Sequence, residues 1–141
     1  MSTLVVAAFD RTVQKTNIWL KDLMERLGWS EPERAYHALR QVLHALRDRL
    51  TIEEATDLGA QLPMLVRGIY YEGWNPNKVS VDRKKEQFLG HVGEAFCGDF
   101  LVDVEQVTRG VFSVIAKHVT AGEVEDIKRS LPHDIRDLWP Q

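Results

Sequence analysis

An ungapped internal repeat constrains this sequence more than any other feature. From Trp19 and from Phe88 the chain runs in parallel for about fifty residues at a constant offset of 69. Val42-Leu43-His44-Ala45-Leu46 lies over Val111-Phe112-Ser113-Val114-Ile115. Beyond it Glu54 meets Glu123, Asp57 meets Asp126, Leu62-Pro63 meets Leu131-Pro132, Arg67 meets Arg136 and Tyr70 meets Trp139. Chance matching of apolar residues does not hold one offset through every turn. Two copies make a duplicated domain and not a solenoid. A copy of about 55 residues buries too little surface to be stable by itself, so the two are expected to share one core.

Each copy reads as four helices. In the first, Phe9, Val13, Thr16, Leu20, Leu23 and Leu27 recur at spacings of four and three, which is one face of a helix, and Gly28 is its expected stop. In Ser30-Glu31-Pro32-Glu33 the serine is predicted to cap a second helix and Glu33 to complete a capping box. The buried stripe of that helix is Ala35, Ala38, Leu39, Val42, Leu46 and Leu50, over about twenty residues. Thr51-Ile52-Glu53-Glu54 and Thr120-Ala121-Gly122-Glu123 are capping boxes at the third helices, which present Ala55, Leu58 and Leu62, and Val124, Ile127 and Leu131. Pro63 and Pro132 suit the first turn of the fourth helices. Their inward residues are Val66, Ile69 and Tyr70, matched by Ile135, Leu138 and Trp139.

In the second copy Phe100-Leu101-Val102-Asp103-Val104 has the residue types of a strand. However, Val104, Val107, Val111, Val114, Ile115 and Val119 keep helical spacing and Asp99 stands where Ser30 does, so the stretch reads as helix capped by Asp99. Lys78, Asp82 and Lys85 oppose Phe9, Val13 and Thr16, which makes the first helix of this copy polar where the other is apolar. The expected architecture is all-α: two tandem four-helix repeats, at about 9–72 and 82–140, joined by a turn-rich linker at about 73–81. They are expected to pack as one globular domain over 1–141 with pseudo-twofold symmetry.

Composition narrows the function classes. With 44% hydrophobic and 28% charged residues the chain is expected to fold. A net charge of −3 with scattered Lys and Arg disfavours nucleic acid as a partner, Arg83-Lys84-Lys85 with Lys78 notwithstanding. Leu4 to Phe9 is too short for a signal-peptide core and lacks a basic flank, and no stretch approaches the roughly 20 apolar residues that span a bilayer. No membrane association and a cytoplasmic location are expected. The single cysteine, Cys97, forms no intrachain disulfide and no cysteine metal site.

Candidate chemistry is sparse. His37 and His44 stand two turns apart on one helix with Asp48 a further turn on, a poorer chelate than residues one turn apart. His91, His118 and His133 face Asp22, Arg49 and Met64, so no histidine recurs. No serine sits in a Gly-x-Ser-x-Gly elbow and no Gly-rich phosphate loop is present. No catalytic residue, metal or cofactor is assigned.

The charged sets Arg40/Arg109, Glu54/Glu123, Asp57/Asp126 and Arg67/Arg136 do recur. They read as clamps in which an arginine of the second or fourth helix meets a carboxylate of the third. Arg40, Arg109, Glu54 and Glu123 are also the candidate ligand-binding residues should a polar pocket lie between the copies. The copies differ where Met64 and Leu65 stand opposite His133 and Asp134. Phe9, Met64, Leu65, Tyr71 and Trp74, with Val13, form a candidate interaction patch, against the reading that they pack on the second copy or the linker. A non-enzymatic protein-interaction or regulatory module, with a protein partner or as a homo-oligomer, is the leading expectation. The alternative is a small-molecule binder or enzyme with a polar pocket between the repeats.

The segments Phe9 to Leu20, Arg34 to Arg40 continuing through Leu46-Arg47-Asp48-Arg49-Leu50, and Gln61-Leu62-Pro63 through Tyr70-Tyr71-Glu72-Gly73-Trp74 resemble one bacterial family, the uncharacterised helical domain of unknown function 2267. The resemblance covers nearly the whole chain, and the Leu-Pro element followed by Arg and an aromatic occurs twice. It implies an all-helical fold, a bacterial source and a cytoplasmic home. It brings no activity and no site residues.

Overall fold

The stripe predicted for the second helix lies at the centre of the core: Ala35, Ala38, Leu39, Val42, Leu46 and Leu50 are all buried. The structure is a computed structural model that describes residues 4, 6–81, 83–97, 99 and 101–141. Among them are eight α-helices and no strand: α1 (Ala7–Leu27), α2 (Pro32–Arg47), α3 (Ile52–Gln61), α4 (Met64–Tyr71), α5 (Lys85–Gly93), α6 (Val104–His118), α7 (Ala121–Ser130) and α8 (His133–Arg136). A 3-10 turn, Glu94–Phe96, follows α5. The helices α2 and α6 pack on each other, α1 and α5 each pack on both, and α3 packs on α7. Among the described residues no helix is long and apolar enough to cross a membrane.

The third helices follow their sequence signals closely. Both are ten residues long, and their starts, Ile52 and Ala121, stand at the 69-residue offset. The Thr51 hydroxyl accepts the Glu54 N–H at 3.2 Å and the Thr120 hydroxyl accepts the Glu123 N–H at 3.3 Å, each satisfying a first-turn amide that has no partner within the helix. Pro63 and Pro132 occupy the N-cap positions of α4 and α8.

Other helix starts differ from expectation. Ser30 is not a cap: Glu31 holds the N-cap position with no side-chain bond, and α2 runs 16 residues from Pro32. The proline explains the shift, because it forces the preceding residue into extended backbone and suits the first helical position. Nor does Asp99 cap α6. Asp103 does, accepting the Gln106 N–H at 3.1 Å, while Asp99 pairs with Arg34 at 3.0 Å and accepts the Leu101 N–H. Of the stretch read as helix from Phe100, Leu101 to Asp103 is not helical and Phe100 lies outside the described residues.

The first helix of the second copy is also shorter than expected. α5 has nine residues against the 21 of α1. Lys78 sits in the linker, where its N–H donates to the Asn75 carbonyl across a turn centred on Pro76, and Asp82 lies outside the described residues. The polar helical face expected at these positions is therefore absent at Lys78. Gln87 accepts the N–H groups of Arg83 and Lys84 and so starts the helix late, and Gly90 and Gly93 lower its intrinsic stability. α8 stops at Arg136, yet Leu138 and Trp139 beyond it are buried as predicted.

One tie was not anticipated. Arg47 is 4% exposed, and its Nη1 donates to the carbonyls of Tyr70 (2.8 Å) and Glu72 (2.9 Å) while Nε donates to Asp48. It thereby closes the C-terminal end of α4 onto α2. Replacing Arg47 with methionine keeps the apolar stem and leaves both carbonyls without this donor, so urea denaturation is expected to show a loss of about 2 kcal/mol. An unchanged midpoint would mean that the carbonyls find other donors.

Candidate functional site

The recurring arginines do not meet carboxylates of the third helices. Arg67 donates to the carbonyls of Gly59 (2.8 Å) and Leu62 (2.9 Å), and Arg136 donates to Leu131 O at 3.1 Å. Both therefore close the C-terminal ends of α3 and α7, where the last carbonyls have no partner within the helix. Geometry forces this. Glu54 and Glu123 lie in the first turn of ten-residue helices, about 10 Å along the axis from the last residue at the end that Arg67 and Arg136 reach. Arg40 instead pairs with Glu72 at 2.6 Å, and Arg109 pairs with Glu105 at 3.0 Å and donates to the Asp137 carbonyl. Hydrogen bonds from these arginines hold the Glu72 and Glu105 carboxyls below their usual range. Arg40 and Arg109 thus pair with carboxylates other than Glu54 and Glu123.

Glu54 and Glu123 come near each other where α3 packs on α7. Glu123 is 7% exposed, and burial followed by the charge of Glu54 pushes its carboxyl up to about 7. Burial and then Asp126 and Asp57 raise Glu54 as well. Each residue keeps one buried oxygen, Oε2 of Glu54 and Oε1 of Glu123, with no hydrogen-bond partner among the described residues. His44 is not a ligand pair with His37. Its Nε2–H donates to the Ile69 carbonyl at 2.7 Å, and burial holds its pKa below the usual value. No three of the described His, Cys, Asp and Glu residues converge as metal ligands.

The apolar patch is unevenly exposed. On α1 the stripe that buries Leu23 and Thr16 continues outward to Val13 and Phe9, which is 59% exposed. Met64, 51% exposed, and Leu65 open the first turn of α4, and the Leu65 N–H donates to the Thr12 hydroxyl at 2.8 Å, joining the two helices there. Behind Leu65 a cavity of about 530 Å³ lies between α1, α2 and α4, with Leu20, Tyr36, Leu65 and Ile69 among its walls. Tyr71 and Trp74 are more covered than Phe9, Met64 and Leu65. They are half-buried with rings 5.4 Å apart, and Tyr71 lies over Gly59 so closely that a Cβ there would stand 2.7 Å from its Cζ. The absence of a side chain at Gly59 is what admits the tyrosine.

Two further groupings escaped the sequence reading: the Arg47 tie, and a contact of His118 with Asp22 at 2.7 Å. Both join residues far apart in the chain, and in neither does the partner residue recur at the offset. A comparison with curated proteins finds no match. The model of a family described as an uncharacterized conserved protein, DUF2267, matches residues 16–138. That span includes α2 to α8 and most of α1. The all-helical fold and the extent of this match agree with the resemblance carried by the Leu-Pro elements, and the chain belongs to the DUF2267 family.

Proposed function

We propose that this protein is a non-enzymatic interaction module that receives an amphipathic helix of a partner protein in the groove between α1, α2 and α4. The observation that carries this reading is the uncovered continuation of the α1 stripe. Phe9 and Val13 extend the line of residues that is buried at Thr16 and Leu23, and Leu65, whose N–H bonds Thr12 of the same helix α1, lines an apolar cleft of about 530 Å³. Helix-in-groove recognition uses such a cleft to take anchors spaced three and four residues apart. Exposed apolar side chains grouped around a cleft are a feature of docking faces more than of ordinary surface.

The reading includes a duplicated domain with pseudo-twofold symmetry in a bacterial cytoplasm. It is supported by the equal lengths and 69-residue offset of α3 and α7 and by reciprocal packing, in which α1 meets α6 as α5 meets α2. On that view the partner face is what the first copy has and the second, with its short α5, lacks.

A photo-crosslinking residue at Met64, introduced in cells, is expected to give one discrete heteromeric adduct that disappears when Val13→Asp and Leu65→Asp are added. Both positions are exposed, so melting is expected to stay within a few degrees of the parent, since surface substitutions usually change stability by less than about 0.5 kcal/mol. An adduct of the chain with itself would replace the partner by a second copy. Absence of any adduct from a folded protein would count against the module.

A further inference from the structure

A second cavity, of about 340 Å³, opens between α1, the α3–α4 junction and the end of α6. Its volume is within the range of small-molecule sites. Gln61 ties the two sides together: its Nε2 donates to the Thr120 hydroxyl at 3.1 Å and its Oε1 accepts the Thr120 N–H at 2.8 Å. Ile18, Leu62 and Pro63 supply an apolar wall. His118 stacks on the buried Trp19, ring centroids 5.0 Å apart and planes 19° from parallel, which fixes the orientation of the imidazole.

The charges around this cavity are unbalanced. Asp22 is the carboxylate bonded to this group, and one of its oxygens, Oδ2, is shared by His118 Nε2 at 2.7 Å and Lys117 Nζ at 3.0 Å. Burial pushes the Asp22 carboxyl up, but the hydrogen bonds from His118 and Lys117 outweigh it and hold it below its usual range. Lys15, one helical turn before Trp19, lines the cavity and has no carboxylate partner among the described residues. Because Nε2 of His118 donates to Asp22, Nδ1 is left to accept in the neutral ring or donate in the protonated one. An ammonium with no carboxylate partner among the described residues, an oriented imidazole and an apolar wall suit a ligand with a negative head and a hydrophobic body.

We propose that this cavity binds a small organic anion, a carboxylate or phosphate ester with an apolar group, with Lys15 and His118 at its charged end and Ile18, Leu62 and Pro63 against its body. The site is separate from the α1–α2–α4 groove and does not depend on the module reading. Benzoate, phenyl phosphate and the neutral benzyl alcohol are the probes, titrated into the full chain by calorimetry and by chemical-shift mapping.

At least one anion is expected to bind saturably and about tenfold more tightly than benzyl alcohol, a difference of about 1.4 kcal/mol, with shifts at Trp19, Gln61 and His118. The better of the two anions identifies the head group. Lys15→Ala, at an exposed position, is expected to weaken that binding severalfold, and His118→Gln, which removes the titratable ring, to weaken it while leaving benzyl alcohol unchanged. No saturable binding of either anion, equal binding of the alcohol, or unchanged affinity in Lys15→Ala would each overturn the proposal.

Discussion

Replacing Trp139 with alanine is expected to lower the unfolding free energy by about 3–5 kcal/mol, the usual cost of truncating a buried aromatic. The position lies beyond α8, outside any helix. It is nonetheless 2% exposed, and its ring stacks on Phe112 with centroids 4.2 Å apart and planes 12° from parallel. Phe112 in turn meets Phe88 at 5.9 Å, so the tryptophan closes a line of three aromatic rings from α5 through α6. Against a total stability of about 5–15 kcal/mol for an ordinary domain, this is a large loss.

Trp139→Phe is expected to cost about 1 kcal/mol, because the stack survives and a buried indole N–H with no partner among the described residues is removed. Urea denaturation followed by helical circular dichroism reads both. Should the alanine variant match the parent, the C-terminal turn would have to lie off the core.

What the sequence revealed depended on whether the deciding contact was local. Thr51 and Thr120 bond amides three residues on, so the starts of α3 and α7 were legible and the repeat supplied each twice. The buried stripes of α2 and α6 were legible for the same reason, since helical spacing decides which residues share a face. Ser30 and Asp99 misled because a better local arrangement stood a few residues away, at Pro32 and at Asp103.

Long-range chemistry was not legible. The offset drew attention to charges present in both copies, yet Arg67 and Arg136 serve helix ends, while Arg47, whose counterpart is Ala116, makes the most deeply buried arginine tie of those described. Asp22 and His118 stand 96 residues apart and face different partners in the repeat. The patch was half legible. Apolar residues at Phe9, Met64, Leu65, Tyr71 and Trp74 were evident, but Tyr71 and Trp74 are partly covered because Gly59 leaves room for a ring. Phe9 and Val13 stay open at the first turns of α1.

Glu123→Gln is expected to stabilise the protein at pH 8 and to do little at pH 4. The carboxyl titrates at 4.5 in its ordinary setting and at about 7 here. Between those values the folded chain holds a proton that the unfolded chain has lost, so the stability contributed by this group falls as pH rises through that window. Below about pH 4 both states are protonated and the penalty vanishes; above pH 7 it is complete. A tenfold change in proton affinity is worth about 1.4 kcal/mol, which puts the full penalty on the order of 3 kcal/mol.

Glutamine preserves the shape without the charge, so it is expected to recover about 1–3 kcal/mol at pH 8, the lower end applying if Glu54 then takes over part of the strain of the pair. Comparing variant with parent at each pH matters because His44 works in the opposite direction. Its lowered pKa removes stability as pH falls, and it would blur the profile of either protein taken singly. Asp57 and Asp126 also raise Glu123, so their repulsion is part of the penalty that the substitution removes. Urea midpoints at pH 4, 6 and 8 are expected to show a gap that widens with pH. A gap that is constant across this range would place the Glu123 carboxylate in contact with water or a cation and not against Glu54 in the α3–α7 packing.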